Sequence, residues 1–452
     1  MTAFWAELAW LGGPRPDAGV AIEVEGDRIV AVTPGVAGPP PAYERLDGLV
    51  LPGLANAHSH AFQRALRGRT HRDRGSFWTW REQMYALAGA LDPDSVLQVA
   101  RATFGEMALA GVTLVGEFHY LHHGRGGKPY SDPNATGAAV LEAAAQAGIR
   151  ITLLDACYLH GGIGVEPDEV QRRFCDPDGD AWASRVDGLT GRGQARIGAA
   201  IHSVRAVDPD AASVVATWAR DRAAPLHAHV SEQPAENEAA IRAYGQTPTA
   251  LLAGAGALSA RFTAVHATHV SAEDIALLGS AGASCCLCPT TERDLADGIG
   301  PARRLADAGV ALALGSDSNA VIEPFEEARA VELDERLASG VRGQHGGSEL
   351  LRAASAGGYA SLGWPEGGEI RPGALADLVA VGREGVRLAG VPDEGLLDTL
   401  VFAGAAADVR DVIVGGRFVV RGGRHVALDV PRELAAVVAG ADRAPGAAGG
   451  AR

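Results

Sequence analysis

Eight short apolar runs, separated by amphipathic stretches, constrain the fold of this chain more than any other feature. They lie at 49–57, 112–118, 149–156, 196–201, 225–229, 262–266, 282–288 and 311–316. Segments such as 94–110 and 209–222 between them have helical periodicity, with Asp-Pro or Ser near the start as an N-cap. Strand–helix alternation repeated eight times predicts an α/β fold built on a (β/α)8 TIM-like barrel. A doubly wound open sheet shares this alternation. No G-x-G-x-x-G or Walker sequence follows any run, however, so nothing asks for a nucleotide fold.

The two ends of the chain read differently. Residues 18–35 alternate apolar and polar around Gly26-Asp27, the pattern of a hairpin, and 36–41 form a Gly/Pro linker. Residues 374–381 and 411–421 are short strand-like runs around Gly-Gly turns. The expected organisation is a small β-sandwich domain built from both chain ends (1–50 and 365–430) and a catalytic barrel over 51–364. A C-terminal helix and flexible tail would occupy 431–452.

Barrel enzymes collect their chemistry at the carboxyl ends of the strands. The first run ends in Asn56-Ala57-His58-Ser59-His60, and alternation on an extended segment points both histidines the same way. The fifth ends in His227-Ala228-His229-Val230-Ser231-Glu232, the sixth in His266 and the eighth in Gly315-Ser316-Asp317. Three neutral imidazoles and one carboxylate leave a coordination position for water, as a catalytic zinc requires, and the bound water then ionises near neutral pH. His227 and His229 share a strand face. His229 is taken as the ligand because Glu232, three residues on, then faces the same pocket as a proton shuttle.

Composition narrows the partners. Lys+Arg 40 against Asp+Glu 55 leaves −15, which argues against nucleic acid and anionic membranes. No apolar run reaches the length of a membrane span, and residues 1–10 contain Glu7 and no basic region, unlike a signal peptide. Five cysteines are an odd, low count that fits reduced thiols and a cytoplasmic location. Cys285-x-x-Cys288 lacks the upstream H-x-E of a cytidine-deaminase site and reads as buried packing. His119, His122 and His123 look like a second metal cluster but are read as loop packing. Lys128 is the only lysine and sits in a Gly-rich loop, so Schiff-base chemistry has no good candidate.

With these residues in view, the chain resembles the amidohydrolase superfamily, and within it the formimidoylglutamate deiminase family, over about residues 20–425. The superfamily marks are Leu51-Pro52-Gly53-Leu54 leading into His58-x-His60, and Gly368-x-Ile370 followed by Pro372-Gly373-x-x-Ala376-Asp377-Leu378-Val379. The closer marks are Trp78-Thr79-Trp80-Arg81, Glu117-Phe118-His119-Tyr120-Leu121-His122-His123, Ser231-Glu232-Gln233 and Cys288-Pro289-Thr290-Thr291-Glu292.

The resemblance implies one Zn2+ per subunit on His58, His60, His229 and Asp317, although imidazole and carboxylate donors accept Fe2+ too. It implies catalytic roles for Glu232, His266 and Asp317, and a substrate pocket of Gln63, Arg81, Tyr120, His202 and Arg205. It also implies a homodimer and a small dicarboxylate amidine, N-formimidoyl-L-glutamate of histidine degradation, as substrate. Strand four ends in Ile201-His202-Ser203-Val204-Arg205 without lysine, which removes the carboxylated-lysine binuclear site of other superfamily members. The competing activity is a mononuclear-zinc deaminase acting on a purine or pyrimidine derivative, on whose neutral ring paired arginines are wasted. A non-catalytic barrel scaffold would have no need of all six metal-site and acid–base residues.

Overall fold

The computed structural model describes residues 2–70 and 77–441. Strands β1 (Thr2–Ala9), β2 (Asp17–Glu25), β3 (Arg28–Thr33) and β4 (Glu44–Pro52) open the chain. Eight barrel strands follow: β5 (Leu54–Ser59), β6 (Val112–His119), β7 (Arg150–Cys157), β8 (Ala195–Ile201), β9 (Leu226–Val230), β10 (Phe262–His266), β11 (Ser284–Leu287) and β12 (Ala311–Leu314). The chain returns to the first sheet as β13 (Leu378–Val381), β14 (Val409–Val414), β15 (Arg417–Arg421) and β16 (Arg424–His425).

From β5 to β12 the barrel strands lie in sequence order, every neighbouring pair parallel, with helices between them. Strands covered on both faces must be apolar throughout, and β6 and β7 are buried at every position. The helices Pro93–Leu109 and Pro209–Asp221 start where Asp-Pro predicted. The Asp92 side chain accepts the Ser95 N–H, and that of Asp208 accepts the Asp210 and Ala211 N–H groups. Caps of this kind contribute about 1 kcal/mol each.

The seam between β12 and β5 is sealed beyond the end of β12. Asp317 bridges Ser59, and the Ser316 and Asp317 N–H groups both donate to His58 O, at 3.1 and 2.9 Å. Gly315 permits this approach, because a Cβ there would stand 2.8 Å from His58 Cβ. Asn56 reinforces the seam by accepting Ser316 N–H (2.9 Å) and donating to Ser316 Oγ (2.6 Å).

The terminal sheet runs β16-β15-β14-β13-β4-β1-β2-β3. Arg28 bridges Leu375, so the β3 edge meets the chain just ahead of β13 and the sheet curls over its own core of Phe4, Ile22, Leu46, Leu378 and Ile413. Arg150 at the start of β7 and Asp377 tie this domain to the barrel through bonds of 2.7 and 3.1 Å. Asp377 also accepts Tyr359 Oη–H and the Gly415 N–H. Breaking a buried pair of this kind costs about 3–5 kcal/mol.

One local reading differs from the structure. The apolar run 49–57 is two strands, β4 in the terminal sheet and β5 in the barrel, because Gly53 turns the chain against Thr113 and Tyr359. The polar stretch 160–194 packs against the barrel. It contains the helix Gly179–Val186, with Trp182 and Arg185 buried. The tail read at 442–452 lies outside the described residues. Among the described residues no helix is long and apolar enough to cross a membrane.

Candidate metal centre and active site

The carboxyl ends of β5, β9 and β10 and the turn after β12 bring His58, His60, His229, His266 and Asp317 to one buried point. Asp317 Oδ1 lies 3.2 Å from His58 Nε2 and 3.3 Å from His60 Nε2, and His229 Nε2 is 3.1 Å from His58 Nε2. One ligand atom from each of His58, His229, His266 and Asp317 falls within 4.8 Å of the others.

Backbone carbonyls orient two of these rings. His60 Nδ1–H donates to Phe118 O (2.9 Å) and His229 Nδ1–H to His202 O (2.8 Å), which leaves each Nε2 lone pair facing the centre. Glu117 Oε1 accepts the Ala61 N–H at 2.6 Å, fixing the chain directly after the histidine pair, and burial lifts its carboxyl to about 8. His266 differs from the other rings. Its Nδ1 faces Glu292 Oε1 at 3.2 Å, while its Nε2 has no hydrogen-bond partner and lies 3.9 Å from both Asp317 Oδ2 and Glu232 Oε1. His266 and Asp317 both have left-handed backbone, φ 66° and 45°, as does Ser231 at 51°. Such conformations cost on the order of 1–3 kcal/mol each and gather at functional sites.

Burial pushes His58 down to about 3 and also lowers His60 and His229. Burial opposes ionisation of Asp317 too, yet the His58 hydrogen bond and surrounding imidazoles hold its carboxyl well below the usual range. For His266, burial disfavours the charge, but the Glu292 hydrogen bond and nearby Glu232 and Asp317 lift it to about 10. The neutral imidazoles of His58, His60 and His229, converging on the ionised Asp317 carboxylate with facing lone pairs, form a donor set that fits a divalent cation.

A cavity of about 380 Å³ opens onto this point. Gln63, Arg81, Tyr120, His202 and Arg205 all line it, together with Glu232 and Asp317. Gln63 Nε2 donates to Tyr120 Oη at 3.0 Å. His202 is held well below its usual value by burial and then by Arg205, so it is a neutral ring. Arg205 stands in the turn after β8. Arg81 is on the helix Phe77–Ala90, stacked over Trp78 (4.6 Å) and Tyr85 (5.3 Å). Stacking and cavity lining are both true of it.

His227 turns away from the cluster, with Nε2 2.9 Å from Ser361 O. All five cysteines are unpaired, and Cys285, Cys286 and Cys288 are buried. His119, His122 and His123 form a separate group against Asp155 and Asp176. The roles of Glu292 and Glu117 went unassigned in the sequence, although both lie within motifs singled out there. The carbonyls of Phe118 and His202 are invisible to any reading of side-chain types.

Residues 49–419 match the model of the amidohydrolase family. The chain belongs to that family and is a hydrolase acting on carbon–nitrogen bonds. It is 38% identical to a formimidoylglutamate deiminase of Pseudomonas aeruginosa, over 94% of this chain and 96% of the relative. A 5-methylthioadenosine/S-adenosylhomocysteine deaminase of Natronomonas pharaonis is 30% identical over 82% of this chain and 81% of its own. The crystal structure of an amidohydrolase from Brucella melitensis superposes with a TM-score of 0.90 at 37% identity, covering 98% of this chain and all (100%) of that one.

Proposed function

We propose that this protein hydrolyses N-formimidoyl-L-glutamate to N-formyl-L-glutamate and ammonia, the deimination step of histidine degradation, in the cytoplasm and as a homodimer. The observation that carries this reading is the pairing of two cavity arginines, Arg81 and Arg205, with a buried histidine–aspartate cluster. Guanidinium forks match carboxylates, and this substrate has two. The resemblance to the Pseudomonas deiminase along nearly the whole chain supports the same substrate.

His58, His60, His229 and Asp317 would hold one zinc. Zinc in such a site supplies an ionised water at neutral pH and polarises the bond under attack. The protein's own groups do the rest. Arg81 and Arg205 bind the carboxylates, while Gln63 and Tyr120 offer neutral hydrogen bonds. Asp317 faces the attacking water and takes its second proton, while the charged His266, held in place through Nδ1 by Glu292, orients that water through Nε2. Glu232, whose Oε1 is 3.9 Å from His266 Nε2, accepts the proton given up as the bound water ionises and passes it to the departing nitrogen.

The experiment is ammonia release by zinc-loaded protein from N-formimidoyl-L-glutamate, beside guanine, cytosine and S-adenosylhomocysteine. Release from the amidine alone is expected. Release only from a base would overturn the substrate while leaving the hydrolytic site intact.

A further inference from the structure

Arg205 already stands between two carboxylates before any substrate arrives. Its Nη2 is 3.2 Å from Glu232 Oε2 and its Nε is 3.3 Å from Glu236 Oε2. A guanidinium held between two carboxylates is a poorer receptor for a third anion than a free one, because both carboxylates repel it. A substrate carboxylate therefore reaches Arg205 only if one of the two glutamates gives way.

The two are not equivalent. Glu236 is buried in the first turn of the helix Pro234–Tyr244, where a carboxylate is favoured, and its Oε1 accepts the Ser231 N–H at 3.4 Å. Among the described residues its Oε2 makes no hydrogen bond, and it lies 3.3 Å from Arg205 Nε. Glu232 also lines the cavity, but it lies beside His266 at 3.9 Å, where the reacting nitrogen must come. An amidinium entering the cavity offers Glu232 a new cationic partner, and the carboxylate on the same molecule offers Arg205 a new anionic one.

We infer that Arg205 exchanges partners on binding, releasing Glu232 to the amidine and taking a substrate carboxylate, while Glu236 is the positioning residue that keeps the guanidinium in place. Carboxylate recognition and proton transfer are then coupled through one side chain, and amidines without a carboxylate leave Glu232 tied to Arg205. This inference rests on the proposed deimination. If wild-type protein releases no ammonia from N-formimidoyl-L-glutamate, that reading fails first, and visibly so.

The test combines E236Q, R205A and the double variant. E236Q is expected to raise KM for N-formimidoyl-L-glutamate about tenfold or more, the size of a lost bond to a charged group, with a smaller fall in kcat. Its dissociation constant for N-formyl-L-glutamate should rise by the same factor. Adding E236Q to R205A should change KM no further, because a residue acting only through Arg205 has nothing left to position. E236D, run in the same cycle, serves if E236Q does not fold. For N-propylformamidine, which has no carboxylate, R205A should turn over faster than wild type because Glu232 is free. A wild-type KM in E236Q or an additive cycle overturns the positioning role. R205A no faster than wild type on N-propylformamidine overturns the exchange.

Discussion

Two buried clusters of histidine and aspartate lie at neighbouring strand ends of this barrel, and only one of them is built like a metal centre. In the first, His58, His60, His229 and Asp317 point nitrogen and oxygen lone pairs at one another, and among the described residues no arginine pairs with the carboxylate. In the second, His119 Nε2 meets Thr136 Oγ1 at 3.2 Å, His122 Nε2–H donates to Ala156 O at 2.9 Å, and His123 Nε2 lies 3.5 Å from Asp176. Arg185 forks onto both carboxylates there, reaching Asp155 at 2.8 and 2.9 Å and Asp176 at 2.7 and 3.0 Å. The second cluster carries its own counter-ion. A count of residue types would not tell the two apart; the direction of the lone pairs and the placement of the cation do.

The sharpest way to break this comparison is to remove the carboxylate of the first cluster. D317N should lower kcat by ~10⁴-fold, the upper range for lost acid–base catalysis, since the proposed function places Asp317 both as metal donor and beside the water. A steady-state ammonia assay decides this. Next in size, E232Q should lose ~10²-fold in turnover while keeping its metal. Near wild-type turnover in a zinc-replete sample would remove the proton-shuttle role.

Arg185→Ala probes the other cluster. Two buried carboxylates would lose their shared cation, and a destabilisation of about 3–5 kcal/mol is expected in urea unfolding. The kcat of the folded fraction should stay within a few-fold of wild type. A collapse of activity with unchanged stability would make the second cluster functional after all.

The smallest effect concerns pH. Burial holds His119 down to about 3 and His122 to about 4, against an ordinary 6.5. The folded protein therefore keeps these rings neutral while the unfolded chain takes up protons, so stability is lost as pH falls from 6.5 towards 4. H122N should flatten the decline of Tm over that interval, and an unchanged slope would contradict it.

Much of the site was legible because barrel geometry turns strand ends into a list of candidates. His58, His60, His229, His266 and Asp317 each follow an apolar run directly, and the structure brings all five together. His227 shows where alternation stops helping, since it shares a strand face with His229 yet turns to Ser361. Three features were hidden for physical reasons. The turn at Gly53 splits one apolar run between two sheets, because composition does not change across it. Arg81 sits on a helix whose aromatic neighbours resemble a loop cluster. Glu236 lies a helical turn beyond Glu232, and its relation to Arg205 exists only once β8 and β9 lie side by side.

If the first cluster, and not the second, holds the proposed metal, zinc content will follow Asp317 and not His122. Metal content of purified protein tests this directly, measured by mass spectrometry on wild type, D317N and H122N after equal exposure to zinc. About one zinc per chain is expected in wild type and H122N and almost none in D317N. Zinc retained in D317N and lost in H122N would contradict it.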